Sequence, residues 1–362
     1  MYPNITLTTP STSLSATLFT PDAARGYYRS TRFDHGSMLG ELLYDGHTLF
    51  PSTYWRRPHD PLWPESGVGL AAEWGCGEDG ARCDAGWGAY PAGASNGVLG
   101  YESAKAGEPF LKIGVGALVK GSCAGCDAQN NSDLYRFNSP YKKIHGAPPE
   151  WRMVRAGGDV VLTHEAALPL GNYAYRLTRI YHAAGSSVVV ETMLENLGVQ
   201  RITTPYYSHN FLSLDATPLG KRSVALGLDV AVANFSDAPW AAPIGDYFRR
   251  AAAHTLRTYR EVPAGAKLKA VFRQPEHGSR GGWTASYDGG PAIAATLDGP
   301  RPLWAYNLYC ERETLSAEPI QLVDIGPGER ATLKLVLRLG PARSHVSGWS
   351  WRRFAFVPGR RL

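Results

Sequence analysis

The sequence predicts an all-β fold of two stacked antiparallel sheets with few short helices. Apolar residues recur at every second position in run after run, the spacing that lines one face of a strand. Forty Gly, 26 Pro and 19 Tyr stand against four Met, a balance that favours turns and strands over helices. Strand-like runs also follow one another without helical pattern between them, which argues for antiparallel layers rather than a βαβ repeat. The chain has 362 residues, 44% of them hydrophobic. That supports a large core, and an all-β sandwich can reach this length as one unit, so a single domain over 1–362 is expected.

Taken in order, the runs FLKIGVGALVK (110–120), YAYRLTRIYH (173–182), SVVVETMLEN (187–196), KLKAVFR (267–273) and ATLKLVLRLG (331–340) read as strands. AAGS between the second and third is a hairpin turn signal, and NLG closes the third. DYFRRAAAHTL (246–256) is the stretch with helical character. The segment from about 51 to 100 differs: it is dense in Gly, Pro and Trp, with Trp55, Trp63, Trp74 and Trp87, and has no period. A long aperiodic segment inside a compact chain is often a functional loop, and its aromatics suit either the lining of a pocket or the cover of a sheet face.

Several function classes find no support. The net charge of +5 is scattered, apart from the tail WRRFAFVPGRRL, so no basic stripe for nucleic acid is present. No run of eighteen apolar residues marks a membrane span. The N-terminus lacks a basic segment followed by an apolar one, so a cytoplasmic location is the expectation. Neither a dinucleotide-binding glycine pattern nor a P-loop occurs, and no cofactor is expected. Five cysteines stand at 76, 83, 123, 126 and 310. CAGC (Cys123, Cys126) has the spacing of half a zinc site that Cys76 and Cys83 would complete, or of a redox pair. Free thiols in Gly-rich loops are the favoured reading, and no metal is expected.

The stretch TTPYYSHNFLSLD (203–215) sets His209 and Asn210 in an otherwise aromatic strand. An isolated histidine there would be a core side chain bonded to a backbone carbonyl; a general acid is the alternative. Histidine titrates near neutrality, and a partly buried glutamate among aromatics can be raised toward it, so such a pair suits acid–base chemistry.

Several segments together resemble the aldose 1-epimerase (galactose mutarotase-like) family, in a divergent branch. They are STRFDHGSMLGELLYDGHTLF, GVGLAAEWG, FLKIGVGALVK, the hairpin YRLTRIYHAAGSSVVVETMLENLGVQRITTPYYSHNF, and LSAEPIQLVDIGPGERATLKLVLRL. No single motif decides it; their order does. The resemblance implies a β-supersandwich with sugar bound across a concave sheet. It also implies a reaction in which a glutamate takes the anomeric proton, a histidine protonates the ring oxygen, and the opened ring closes to the other anomer. Carried over, His209 is the acid and Glu318 the base, with Glu311 and Glu313 as near competitors. Glu73, Trp74, Tyr207, Asn210 and Asp215 are candidates for substrate binding, an aromatic beside a carboxylate being suited to a sugar.

The sequence departs from the family in lacking a Leu-His-Gly-Gly segment, and His145 in KKIHGAPPEW is not its equivalent. It also reads YSHNFLSLD around the acid. Arg32 and Asp34 fit a surface ion pair as well as a site. The partner expected is a small-molecule carbohydrate. Alternatives are a hexose-6-phosphate epimerase using Arg176, Arg179 and the Arg56–Arg57 pair, a non-catalytic carbohydrate-binding protein, and an isomerase or lyase acting on a non-sugar carbonyl compound.

Overall fold

The structure, a computed structural model, describes residues 1–9, 13–56, 58–75, 97–144, 151–169, 172–233, 235–272 and 280–341. Within them the alternating runs pair into two large antiparallel sheets and a short hairpin. The first sheet runs, edge to edge, Asn4–Thr8, Leu14–Phe19, Leu39–Tyr44, Leu70–Trp74, Ile202–Asn210, Thr314–Ile325, Leu303–Glu311, Leu268–Phe272 and Phe235–Asp237. His47–Phe50 pairs beside Leu39–Tyr44. The second sheet runs Phe248–Ala252, Thr255–Thr258, Val224–Leu228, Arg280–Tyr287, Ala292–Asp298, Arg330–Gly340, Ser187–Asn196, Ala174–Ala184, Asp159–Ala167 and Arg152–Ala156.

Alternation explains how the sheets join. In Ser187–Asn196 the side chains of Val188, Val190, Thr192 and Leu194 are buried while those between them are half-exposed. One contiguous core takes Leu39, Leu70, Tyr206 and Leu308 from the first sheet and Leu177, Val190, Leu226 and Leu337 from the second. Three adjacent strands of the first sheet break the in–out pattern: Leu70–Trp74, Ile202–Asn210 and Thr314–Ile325 are buried on nearly every residue. One face of each meets the core; the other lies beneath loops. Polar residues of the latter two strands, Ser208, His209, Asn210, Ser316, Glu318 and Gln321, are all buried. Buried polar groups demand partners, so these strands are where chemistry is to be sought.

The strands expected at 173–182, 187–196, 267–273 and 331–340 form as Ala174–Ala184, Ser187–Asn196, Leu268–Phe272 and Arg330–Gly340. Two expectations are corrected. The run 110–120 is a hairpin of Pro109–Lys112 and Gly116–Val119 rather than one strand. Gly114 (φ +75°) turns it, and a Cβ there would sit 2.3 Å from Asp34 Cγ. The helical stretch 246–256 is also a hairpin, Phe248–Ala252 with Thr255–Thr258. Its alanines and arginines offer no buried face at helical spacing, whereas Leu256 pairs with Leu226 and enters the core.

Cys123 and Cys126 form a disulfide with a Cα–Cα separation of 5.1 Å, where free thiols were expected. Cys310 is a free thiol buried in the core. Cys76 and Cys83 lie outside the described residues, as do Trp87, Arg57 and His145. Among the described residues no group of three or more His, Cys, Asp or Glu is placed to hold a metal, and no helix is long and apolar enough to cross a membrane.

Candidate active site

Five neighbouring strands of the first sheet carry the charged side chains to one face. Tyr207 pairs with Glu73, Asn307 with Glu318, and Lys269 with Tyr309. Beneath them Tyr207, Val271, Ala305 and Ile320 make a small apolar floor on the face opposite the main core. Residues 27–37, 51–56 and 58–69 fold over this face, and between sheet and loops lies a cavity of about 380 Å³. That is within the size of small-molecule sites. His209, Glu318 and Tyr207 line it from the strands, as do Asn307, Tyr309 and Lys269; Arg32, Phe33, Trp55 and Arg56 line it from the loops.

His209 is held between two carboxylates. Its Nε2 is 3.2 Å from Glu73 Oε2, and its Nδ1 is 2.8 Å from Glu318 Oε1. The second contact is an ion pair without hydrogen-bond alignment, which leaves Nδ1 buried with no acceptor in line. Phe211 stacks on the imidazole at 5.1 Å and Phe33 meets it edge-on at 5.2 Å, fixing the ring plane. Burial works against a charged imidazole, but Glu318 beside it and the contact with Glu73 outweigh that, so the His209 pKa is raised. Burial likewise pushes the Glu318 carboxyl up. His209 and the hydroxyl of Ser316, which donates to Oε1 at 2.7 Å, overcome it and hold the pKa below the ordinary carboxylate value.

Glu73 anchors the inner end. Arg32 Nε donates to its Oε2 at 3.0 Å, the Tyr207 hydroxyl donates to the same oxygen at 2.8 Å, and Lys112 Nζ lies 3.8 Å from Oε1. Burial alone would raise this carboxyl, yet Arg32, His209 and Lys112 hold it well below the usual range. Lys112 is fully buried, which lowers its pKa to about 8. Arg32 also donates to Asn138 Oδ1 at 3.1 Å, and its guanidinium lies over Phe33 and Phe137. A second ion pair closes the cavity on the loop side. Arg56 donates from Nη1 to Glu65 at 2.6 Å, from Nη2 to the Tyr309 hydroxyl at 2.6 Å, and to both oxygens of Glu311. Trp55 Nε1 donates to Glu311 at 3.2 Å.

Of the residues singled out in the sequence, the structure brings His209, Glu318, Glu73 and Tyr207 together. Trp74, Asn210 and Asp215 do not line the cavity. Successive strand residues point to opposite faces, so Trp74 is turned into the core. There it packs on Tyr206 and donates Nε1 to Asp34 Oδ2 at 3.1 Å. Asn210, next to His209, uses its Nδ2 on the carbonyls of Ser208 and Ala317. Asp215 sits in a turn with φ +61° and ties His47 to Tyr287 across the sheets. Asp34 is buried and Arg32 partly buried, and each is paired elsewhere, not with the other at the surface. Asp34 takes Arg179 Nη2 at 2.7 Å deep in the core, and Arg176 pairs with Glu165 and Glu195 away from the cavity. Neither Arg176 nor Arg179 is therefore available to a phosphate in this cleft. Glu311 is spoken for by Arg56, and Glu313 pairs with Arg312.

Arg56 was singled out only as half of a basic pair; Trp55 only as one of four loop tryptophans. Phe211 and Lys112 drew no notice as site residues. Loop residues carry no period to betray the face they cover. Lys112 had a signal: a charge at an inward position of an alternating run needs an acid, and Glu73 lies in the preceding strand Leu70–Trp74.

No protein-family model matches the sequence. No curated protein matches it either. Solved structures match along nearly the whole chain. The Slr1438 protein from Synechocystis sp. PCC 6803 is 13% identical with a TM-score of 0.51, covering 94% of this chain and 96% of its own. A galactose mutarotase-like protein from Lactobacillus casei is 10% identical (TM-score 0.42; 93% and 99% covered). The GalM/aldose epimerase homologue from C. elegans is 12% identical (TM-score 0.44; 95% and 100% covered). Many structural neighbours are thus galactose mutarotase-like proteins at low identity, as the order of sequence motifs implied. At this identity the likeness is one of fold and assigns no residue its role.

Proposed function

We propose that the cleft interconverts the anomers of a sugar by acid–base ring opening, with His209 as acid and Glu318 as base. The observation that carries the reading is a buried imidazole whose Nδ1 is 2.8 Å from the Glu318 carboxylate, both side chains lining one aromatic-walled cavity. The two oxygens that must exchange protons in mutarotation, ring and anomeric, are bonded to one carbon. An acid and a base side by side match that arrangement, and a pair separated by the width of a sugar ring is not required.

His209, protonated on both nitrogens, gives its Nδ1 proton to the ring oxygen as the bond from that oxygen to C1 breaks. Glu318 takes the proton of the anomeric hydroxyl, and C1 becomes an aldehyde carbon. Ser316 holds Oε1 of Glu318, so Oε2 is the oxygen that receives the proton. Rotation about C1–C2 and closure on the other face reverse both transfers and restore the pair. Glu73 remains ionised throughout and steadies the imidazolium through Nε2. Phe211, Phe33 and Trp55 exclude water and offer ring faces to sugar C–H groups.

Exchange NMR on a panel of hexoses and pentoses tests this. A positioned acid or base contributes on the order of 10²–10⁴-fold. His209→Ala and Glu318→Gln are therefore each expected to lower the enzyme-dependent rate about a hundredfold or more. Unchanged exchange in both variants refutes the assignment.

A further inference from the structure

We infer that Lys112 is a positioning residue that sets how tightly His209 holds its proton, acting through Glu73. The inference rests on the reading of His209 as the acid and adds a residue that does not line the cavity. Lys112 is buried completely, and its Nζ has no hydrogen-bond partner among the described residues. Its one salt bridge among them is to Glu73 Oε1, at 3.8 Å. The hydrogen bonds of Glu73 all fall on its other oxygen. Arg32 Nε at 3.0 Å, the Tyr207 hydroxyl at 2.8 Å and His209 Nε2 at 3.2 Å each meet Oε2. One carboxylate therefore stands between an ammonium on one oxygen and an imidazole on the other.

The fold leaves Lys112 little freedom. It ends the strand Pro109–Lys112, and the turn that follows is pinned on both sides. The Gly114 carbonyl accepts from the His35 amide at 3.1 Å, and the Gly114 amide donates to the Tyr175 hydroxyl at 3.0 Å. The ring of Tyr135 lies 5.2 Å from Nζ, and Arg32 and Asp34 complete the charges acting on it beside Glu73. His209 in turn faces Glu73, Glu318 and Arg32, whose Nη2 is 3.4 Å from Nε2. An ammonium held without hydrogen bonds in the interior is costly. Burial lowers its pKa to about 8, so it releases its proton close to neutrality. Measured through the carboxylate, Lys112 Nζ and His209 Nε2 are at most about 9 Å apart. At an effective dielectric of about 20, two unit charges at that distance displace each other's titration by about one pH unit. Protonated Lys112 therefore weakens the hold of His209 on its proton, and neutral Lys112 strengthens it. As pH rises, Lys112 sheds its charge and the acid form of His209 persists to higher pH.

NMR of the protein with labelled histidine follows the His209 titration without substrate, the signal being assigned by its loss in His209→Gln. Lys112→Arg keeps a cation at every pH, and Lys112→Met removes it. Methionine matches the lysine stem, and exchanging a buried ion for an apolar side chain of similar volume is often neutral, so the fold should hold; thermal melts check it. The His209 midpoint in Lys112→Met is expected about one pH unit above that in Lys112→Arg, with the unaltered protein between them. Should either variant not fold, Lys112→Gln against the unaltered protein reads the same upward displacement. A lysine with a structural role alone would leave the midpoint in place, or lower it as the contact of Glu73 with His209 loosens. Coincident midpoints in the methionine and arginine variants, or a lower one in the methionine variant, overturn the inference. Displaced midpoints in a protein that exchanges no anomers uphold it while refuting the acid–base reading. Anomer exchange that is lost in His209→Ala, with coincident midpoints, does the reverse.

Discussion

Glu73→Gln is the perturbation that probes the site most directly, because Arg32, Lys112 and His209 all converge on that buried carboxylate. Glutamine keeps the volume and one acceptor oxygen but removes the charge. Three cations then face one another in a region where each is at most about a tenth exposed. Breaking a buried ion pair by removing one partner costs about 3–5 kcal/mol. Here the loss belongs toward the lower end, because Lys112, already at a pKa of about 8, sheds its proton and relieves part of the repulsion.

The same substitution removes one of the two carboxylates that favour imidazolium, so the pKa of His209 should fall. Urea denaturation at neutral pH measures the first effect and a histidine-selective NMR titration the second. If anomer exchange is established, the alkaline limb of its pH profile should move to lower pH along with the titration. A stability loss below about 1 kcal/mol, the value of an exposed pair, together with an unmoved His209 titration, would refute the electrostatic account of the site.

Wild-type stability should carry the signature of the His209–Glu318 pair. The lowered pKa of Glu318 gives stability that is present above its unfolded value, about 4.3, and is lost as pH falls through the folded one. The raised pKa of His209 gives stability that is present below about 6.5 and is lost as pH climbs through its folded value, which urea midpoints at stepped pH will show. Arg56→Met strands Glu311, which is 7% exposed, and should cost about 3 kcal/mol in chemical denaturation, less if Tyr309 and Trp55 retain their bonds to it. Trp74→Phe removes the donor to Asp34 in the core and should destabilise by about 1–3 kcal/mol while sugar affinity holds. A large loss of affinity with stability intact would return Trp74 to the site.

The fold was legible because its signal is local and repeated: alternation survives in every long strand of the second sheet, where one face is wet. The site was legible only in part, and the reason lies in the strands buried on both faces. Along Ile202–Asn210 no exposed residue marks which parity meets the core, so His209 and Asn210, or Glu73 and Trp74 across the register, look equally suited to a cleft. What separates them is the company each keeps. Asn210 turns to the other face of the strand and spends its Nδ2 on the carbonyls of Ser208 and Ala317. His209 and Glu318 close on each other and on Glu73, charges whose burial is tolerable only because every one has a counterpart. Those counterparts include Arg32, and beside them Arg56 pairs with Glu311; both arginines arrive from aperiodic loops whose approach depends on the whole tertiary fold. A histidine in an aromatic strand is thus ambiguous by itself. It becomes a candidate acid once the strand is seen to be covered on its second face by loops that bring charge, because a loop covering a core histidine would bring apolar side chains and a carbonyl instead.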